Sequence, residues 1–217
     1  MPNDSRETIL AGIRSSLKLS QHKNHPEPTE IFRTYQNSGS LGPEQCLHLF
    51  SERLREYDAN VTFAQSSAVQ EALSRILDAD PSSVDSPWIV ADGFPSDWLP
   101  PAAAFLHEAE ATTDDLNRCA GVITTCSAGI ALTGTIVMQH GPGEGKRQTS
   151  LLPDRHLCVI PSSLVVETVP QAFKMLAAAA NRPLTFISGP SATADIEMTR
   201  IRGVHGPRHL DVIMVGD

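Results

Sequence analysis

The stretch PEQCLHLFSERLREYDANVTFA, residues 43–64, decides the fold class because it joins a helical pattern to a strand pattern. Its large apolar side chains recur at helical spacing, as Leu47, Phe50, Leu54 and Tyr57. Residues 61–64 then form a short apolar run typical of a strand. The same order recurs when a helical pattern over 69–77 precedes an apolar run at 88–91. Helices alternating with short strands predict an α/β fold.

Further apolar runs in the second half of the chain predict five more strands, at residues 120–124, 135–138, 157–160, 184–187 and 211–215. The interval between the second and third of these leaves no room for a long helix. The first three runs therefore predict a β-meander inserted into the α/β fold. Helical patterns are predicted over residues 170–180 and 189–198.

The amino-terminal segment has a different composition from the rest of the chain. Its apolar residues Ile9, Leu10, Ile13 and Leu17 are spaced as in a helix. Residues 22–42 are rich in Pro, Asn, Ser and Gly and lack periodicity, which is typical of a linker or mobile arm. We therefore expect residues 1–42 to form a helix and flexible arm, and residues 43–217 to form the α/β domain.

Charge and hydropathy narrow the class of protein. The net charge of -8 argues against a general nucleic-acid binder, because phosphate neutralisation needs clustered Lys and Arg. The acidic excess lies before residue 144, since the remainder of the chain holds 8 Lys/Arg and 7 Asp/Glu. No apolar run is long enough to insert into a membrane, and the first residues lack the order of a signal peptide. We expect a cytoplasmic protein.

The cysteines and histidines show no metal-binding spacing. The four cysteines, Cys46, Cys119, Cys126 and Cys158, contain no Cys-x-x-Cys pair, which argues against a zinc ribbon or an iron–sulfur cluster. The eight histidines form no His-Glu-x-x-His motif. No redox-cofactor motif is present either, and we assign the chain no metal and no cofactor.

The sharpest local feature is ISGPSATADIE, residues 187–197, in which a strand pattern leads into a turn. Gly189 lets the backbone approach a ligand, Pro190 suits a turn, and Ser191 or Thr193 can cap a helix while presenting a hydroxyl. The free amides of a helix start would attract a carboxylate or phosphate. The alternative is that the polar residues of this segment only cap a helix.

A second turn, Thr133-Gly134-Thr135, links two strand patterns and can also let a ligand lie against the backbone. His205, followed by Gly206, can act as an acid, a base or a ligand near neutral pH. We expect the two turns to meet at a small-anion site bordered by His205. The alternatives are that the glycines only relieve crowding and that the histidine is structural. A third glycine-rich stretch, residues 140–147, is predicted to be a solvated hairpin tip.

These blocks, in this order, resemble the LUD-domain family in its lactate utilisation protein C branch. The resemblance runs from about Ala120 to Val215. Its most specific motifs are GPSATADIE at residues 189–197 and GVHGP at residues 203–207, while ALTGT at 131–135 and SLLP at 150–153 agree more loosely.

The resemblance implies a three-layer α/β/α fold like that of the glucosamine-phosphate isomerase, ribose-phosphate isomerase and coenzyme A transferase group. It also implies a component of L-lactate oxidation to pyruvate that acts with iron–sulfur partner proteins. The chain is then an accessory subunit or an enzyme of unidentified reaction. The alternative is a stand-alone enzyme or sensor that binds a small anion, a nucleotide or an acyl-coenzyme A.

One position departs from the family pattern. Leu132 stands where relatives often carry Glu, so this chain lacks a carboxylate at that position, and a proton-transfer mechanism copied from the isomerases is in doubt. The remaining acid–base candidates are Asp195, Glu197 and His205.

Overall fold

The computed structural model of the chain describes residues 3–20, 38–79, 86–101, 103–179, 181–194, 200–202 and 206–216. The chain divides into two units, residues 1–35 and 36–217. The first unit contains helix α1 (Asn3–Ser20), which confirms the helix predicted there. Ile9, Ile13 and Leu17 on this helix are exposed. No helix in the described ranges is long and apolar enough to span a membrane.

The second unit alternates helices and strands. Its helices are α2 (Pro43–Glu56), α3 (Val69–Asp78), α4 (Thr113–Arg118) and α5 (Val169–Leu176). Its strands are β1 (Asn60–Gln65), β2 (Trp88–Val90), β3 (Phe105–His107), β4 (Gly121–Thr124), β5 (Ala128–Ile130), β6 (Thr135–Met138), β7 (Arg155–Pro161), β8 (Val165–Val166), β9 (Thr185–Ile187), β10 (Ala192–Ala194), β11 (Arg200–Arg202) and β12 (His209–Gly216).

Six of the strands form the main sheet, in the order β1-β12-β7-β4-β2-β3. Every neighbouring pair is parallel, with His209 opposite Arg155 and Val122 opposite His156. The amino ends of β7 and β12 therefore lie side by side at one edge. Parallel strands need crossover connections, and the helices supply them. The α/β class predicted from the sequence is confirmed.

Both faces of the main sheet are covered, as the near-continuous apolar strands require. Alternate residues of β7 point to opposite faces. Cys158 belongs to the core that contains Phe50 and Leu54 of α2, whereas Leu157 belongs to the core that contains Leu73 of α3. The helices on the two faces give the three-layer α/β/α arrangement.

The predicted insertion is a second, four-stranded sheet in the order β8-β5-β6-β9. Its antiparallel part comprises the β5–β6 pair and the β6–β9 pair. The runs at 120–124 and 157–160, from which a meander was also predicted, are instead parallel neighbours in the main sheet. Apolar runs of four or five residues do not specify their partner strand. Ile136 of β6 faces the α2 core and Val137 faces α5.

The helix predicted over residues 189–198 is wrong for its described part. Residues 192–194 form β10, which pairs antiparallel with β11, so that Thr193 lies opposite Ile201. Residues 195–199 lie outside the described ranges. The alternation of small residues with Thr193 is compatible with a strand, and pairing with β11 decides the outcome. The helix start that was to supply free amides is therefore absent at residues 191–194.

The described end of the predicted arm contacts the α/β unit. The amides of Ser40 and Leu41 donate hydrogen bonds to Oε2 of Glu167, at 2.5 and 2.7 Å. Glu167 is buried, and these two amides supply the hydrogen-bond donors that its carboxylate needs. The rest of the predicted arm, residues 22–37, lies outside the described ranges.

Candidate functional site

A cavity of about 300 Å³ opens at the amino edge of the main sheet. Its floor includes His156 and Leu210, the second residues of β7 and β12. The remaining lining residues are Ser150, Leu151, Thr185, Phe186, Ile187, Ser188, Gly189, Pro190, Ser191, Gly206 and Pro207. The structure thus brings together four predicted ligand-binding residues, namely Gly189, Pro190, Ser191 and Gly206.

The turn after β9 needs glycine for two reasons. Gly189 has a φ of +87°, which L side chains rarely adopt, and a Cβ there would lie 2.5 Å from Cβ of Tyr57. Pro190 is buried beside it. The amide of Ser191 donates to the carbonyl of Pro207 at 2.7 Å, which holds the two walls of the cavity together.

A hydrogen bond connects the Thr133-Gly134-Thr135 turn to Ser188, the residue before Gly189. Oγ1 of Thr135 lies 2.8 Å from Oγ of Ser188, and Oγ1 of Thr133 lies 2.7 Å from that of Thr135. Gly134 adopts a φ of +57° against Arg53 of α2. Thr133, Gly134 and Thr135 do not line the cavity themselves. Thr135 instead holds Ser188, which does.

The predicted acid–base residues Asp195, Glu197 and His205 lie outside the described ranges. Thr193 lies in β10, facing Ile201 across the strand pair. Leu132 lies in a one-turn 3-10 helix between β5 and β6, and its side chain is 49% exposed. Its amide donates to the carbonyl of Glu167 at 3.1 Å. The roles predicted for these residues stay predictions.

Sequence reasoning missed His156. Its Nε2 lies 2.8 Å from Oγ1 of Thr124, and both side chains are fully buried. Nδ1 of His156 is buried and has no hydrogen-bond partner within the described part of the chain. The available signal was its spacing: His156 lies two and four residues before Cys158 and Ile160, so its side chain points to the same face of the strand. The apolar run predicts a strand only from residue 157.

Burial keeps the His156 ring neutral. Desolvation lowers the pKa of His156 to about 4, although the charge of Asp211 opposes this shift. None of the described lining residues carries a charge at neutral pH. The cavity therefore offers hydrogen bonds without a fixed charge from these residues.

Two of the lining hydroxyls already donate to protein atoms. Oγ of Ser150 donates to the carbonyl of Arg147. Nδ1 of His140 lies 2.8 Å from the carbonyl of Gly145, which can only accept, so Nδ1 carries the proton. In the neutral ring, Nε2 of His140 then accepts from Oγ1 of Thr185, at 2.7 Å. Ser150 and Thr185 are left with lone pairs to offer a ligand.

The opposite, carboxyl edge of the sheet is closed by the loop between β6 and β7. Glu108, which follows β3, is buried and accepts from the amide of Lys146 at 2.7 Å and from the hydroxyl of Thr149. Glu144 is buried and accepts from Ser127 and from the amide of Gln139. The stretch predicted as a solvated tip is thus partly interior, with Pro142, Lys146 and Arg147 exposed and residues 143–145 buried.

The cysteines lie apart from the cavity. Cys46, Cys126 and Cys158 are buried and Cys119 is half-buried, all as free thiols. Burial raises the pKa of Cys119 to about 11, and a hydrogen bond to Cys158 together with burial raises the pKa of Cys126. Across the described ranges, no three His, Cys, Asp or Glu residues are grouped to hold a metal ion.

Comparison with known proteins gives matches over most of the chain. The family model described as LUD domain matches residues 47–215. A protein of Deinococcus radiodurans named lactate utilization protein C is 37% identical over 86% of this chain and 87% of its own length. One of the same name from Anoxybacillus flavithermus is 26% identical over 94% of this chain and 93% of its own length.

Among solved structures, the crystal structure of a DUF162 family protein from Deinococcus radiodurans superposes with a TM-score of 0.70 at 34% identity. It covers 81% of this chain and 99% of that protein. The resemblance inferred from the two motifs is confirmed. The match begins at residue 47, well before Ala120, because α2, β1 and α3 belong to the family pattern without carrying a recognisable motif.

Proposed function

Because the chain belongs to the LUD domain family, we propose that it is a cytoplasmic component of L-lactate utilisation that serves the oxidation of L-lactate to pyruvate. The observation that carries the proposal is the 37% identity, across nearly the whole chain, to a protein named lactate utilization protein C. At this identity and coverage the two proteins share their fold. A shared role follows more readily than it does from fold alone.

The oxidation removes two electrons and two protons from lactate, as the C2–H and O–H bonds break and the keto group forms. We propose that iron–sulfur proteins accept the electrons, since iron–sulfur clusters carry electrons one at a time at tunable potentials. This chain acts beside them by holding a small anion in the cavity at the Gly189 turn. Asp195, Glu197 and His205 are its proposed acid–base groups.

A deletion strain tests this role. We expect a strain that lacks the gene to lose growth on L-lactate but to grow normally on pyruvate, and the wild-type gene to restore growth. Affinity purification of the tagged full chain from lactate-grown cells should recover iron–sulfur proteins. Normal growth of the deletion strain on lactate would contradict the proposal.

The cavity itself favours a second candidate, a stand-alone enzyme or sensor for a small anion, a nucleotide or an acyl-coenzyme A. Its volume of about 300 Å³ lies at the lower end of the range for small-molecule sites. A thermal-shift screen of lactate, pyruvate, sugar phosphates, nucleotides and acyl-coenzyme A separates the candidates. A ligand at 100 times its dissociation constant adds about 2.7 kcal/mol to the free energy of unfolding. Stabilisation by nucleotides or acyl-coenzyme A alone would favour the second candidate.

A further inference from the structure

We propose that the cavity at the amino edge binds a short 2-hydroxy monocarboxylate, and that His156 is the ligand-contacting residue that donates a hydrogen bond to its carboxylate. This rests on the proposed function and names the ligand class of the same site.

The hydrogen-bond inventory fixes which His156 nitrogen carries the proton. Thr124 is fully buried, and Nε2 of His156 is the partner of its hydroxyl. If Nε2–H donated to Thr124, the threonine proton would have no acceptor among the described residues and Nδ1 would keep an unused lone pair. If the threonine hydroxyl donates to Nε2, a single group, Nδ1–H, stays without a partner in the described ranges. Because unpaired buried donors are costly, the second arrangement is the stable one.

A buried Nδ1–H on a residue that lines a cavity is suited to an acceptor oxygen. His156 lines the cavity, and the ring is held in place by Thr124. A carboxylate oxygen satisfies this donor with a charge-assisted bond, which is stronger than a neutral one. The ring needs no proton from solution to do so, since its pKa of about 4 keeps it neutral throughout the physiological range.

The lining hydroxyls select for a donor on the ligand. The hydroxyl of Ser150 donates to the carbonyl of Arg147, and that of Thr185 donates to the neutral ring of His140. Each oxygen can therefore still accept a hydrogen bond from a ligand. The hydroxyl of a 2-hydroxy acid can donate to such an oxygen, and an unsubstituted acid cannot. Ile187 and Leu210 supply an apolar wall for the short alkyl group.

The volume of the cavity limits the size of the ligand, and the uncharged described lining limits the ligand's charge. At about 30 Å³ per water molecule, 300 Å³ is equivalent to roughly ten waters, which is room for a three-carbon acid with part of its hydration shell. The desolvation cost of an ion rises steeply with its charge, and no described lining residue is cationic. A phosphate, which carries nearly two charges at neutral pH, is therefore disfavoured relative to a monocarboxylate.

Calorimetric titration of the full chain with L-lactate, propionate and inorganic phosphate tests the ligand class. We expect L-lactate to bind several-fold more tightly than propionate, by one neutral hydrogen bond, and phosphate to bind least. Tighter binding of phosphate, or no binding of L-lactate at several millimolar, would overturn the assignment.

Two replacements of His156 test the residue. Gln places its amide near the position of Nε2 and lacks an atom at Nδ1, whereas Asn places an amide near Nδ1. We expect His156→Gln to weaken L-lactate binding at least tenfold and His156→Asn to weaken it by about threefold or less. His209→Gln, at an exposed position of β12 outside the cavity, is the matched control and should bind as the wild type does. Equal affinity of His156→Gln and the wild type would refute the role.

A measurement on the wild type covers the case in which a variant fails to fold. In protein labelled with ¹⁵N-histidine, saturating L-lactate should shift the Nδ1 resonance of His156 and leave that of Nε2 nearly unchanged. Lactate binding without a shift at Nδ1 would place the ligand elsewhere. If the wild-type gene rescues the deletion strain but the purified chain does not bind L-lactate, the proposed function stands and this assignment fails.

Discussion

At the carboxyl edge of the main sheet, the buried carboxylate of Glu108 accepts hydrogen bonds from Lys146 and Thr149, whereas at the amino edge the buried ring of His156 leaves Nδ1 unpaired within the described ranges. The carboxyl edge is where open α/β sheets usually bind ligands. Here a loop fills it. The difference teaches that the position of a site follows from which buried polar groups the chain leaves unsatisfied, and not from the sheet topology alone.

The largest expected effect concerns the turn that forms a wall of the amino-edge cavity. Gly189→Ala should lower the free energy of unfolding by about 4 kcal/mol, because a left-handed φ is combined with a Cβ 2.5 Å from Tyr57. Gly206→Ala is the matched control, since its φ of +92° is equally unusual but its nearest neighbour lies 3.7 Å away. It should lose only about 1 kcal/mol. Urea unfolding measures both, and equal losses would show that the Tyr57 contact is unimportant.

Glu108 tests the structural character of the carboxyl edge. Glu108→Ala should lower the free energy of unfolding by about 3 to 4 kcal/mol, because the Lys146 amide and the Thr149 hydroxyl lose their charged acceptor. The exposed Glu110→Ala should change it by less than about 0.5 kcal/mol. Chemical denaturation checks both. If Glu108→Ala unfolded like the wild type but lost ligand binding, the carboxyl edge would be the functional one.

Acid should destabilise the protein through His156. Its pKa is about 4 in the folded state and near 6.5 in the unfolded state, so between these values only the unfolded chain binds the proton. The stability is therefore complete above about pH 6.5 and falls by about 3 kcal/mol as the pH approaches 4. Between about pH 6.5 and 4, the free energy of unfolding of the wild type, measured in urea, should fall by about 3 kcal/mol more than that of His156→Gln. Parallel pH profiles of the two proteins would contradict the burial of a neutral ring.

The smallest expected effect concerns the second wall of the cavity. Ser191→Ala should weaken L-lactate binding by about 1 kcal/mol, the value of one neutral hydrogen bond, with a smaller effect on stability. Ser163→Ala, at an exposed position after β7, serves as the control. Calorimetry and thermal melts separate the two effects. Lost stability with unchanged binding would mean that Ser191 only supports the turn.

Much of the cavity's wall could be predicted because the local sequence dictates it. A glycine and a proline after a short apolar run specify a turn whichever sheet the strand joins, so Gly189 and Pro190 were found as residues of the site. The helix predicted after them was wrong in its described part, since residues 192–194 pair with β11 and no local pattern reveals that pairing. His156 was missed because it precedes the apolar run 157–160 that marked the strand, and no local pattern shows that its ring is buried.

The sequence by itself determined many of the elements and the family, because hydrophobic periodicity and turn chemistry act over a few residues. It predicted the helices that contain Ile9 to Leu17 and Leu47 to Leu54, together with apolar strands of the main sheet. The tertiary structure alone decided that the runs near 122 and 157 pair in parallel, that 135–138 joins a second sheet, and that Thr124 meets His156. These are contacts between segments far apart in sequence, and their selection depends on packing of the whole core, which no local pattern encodes.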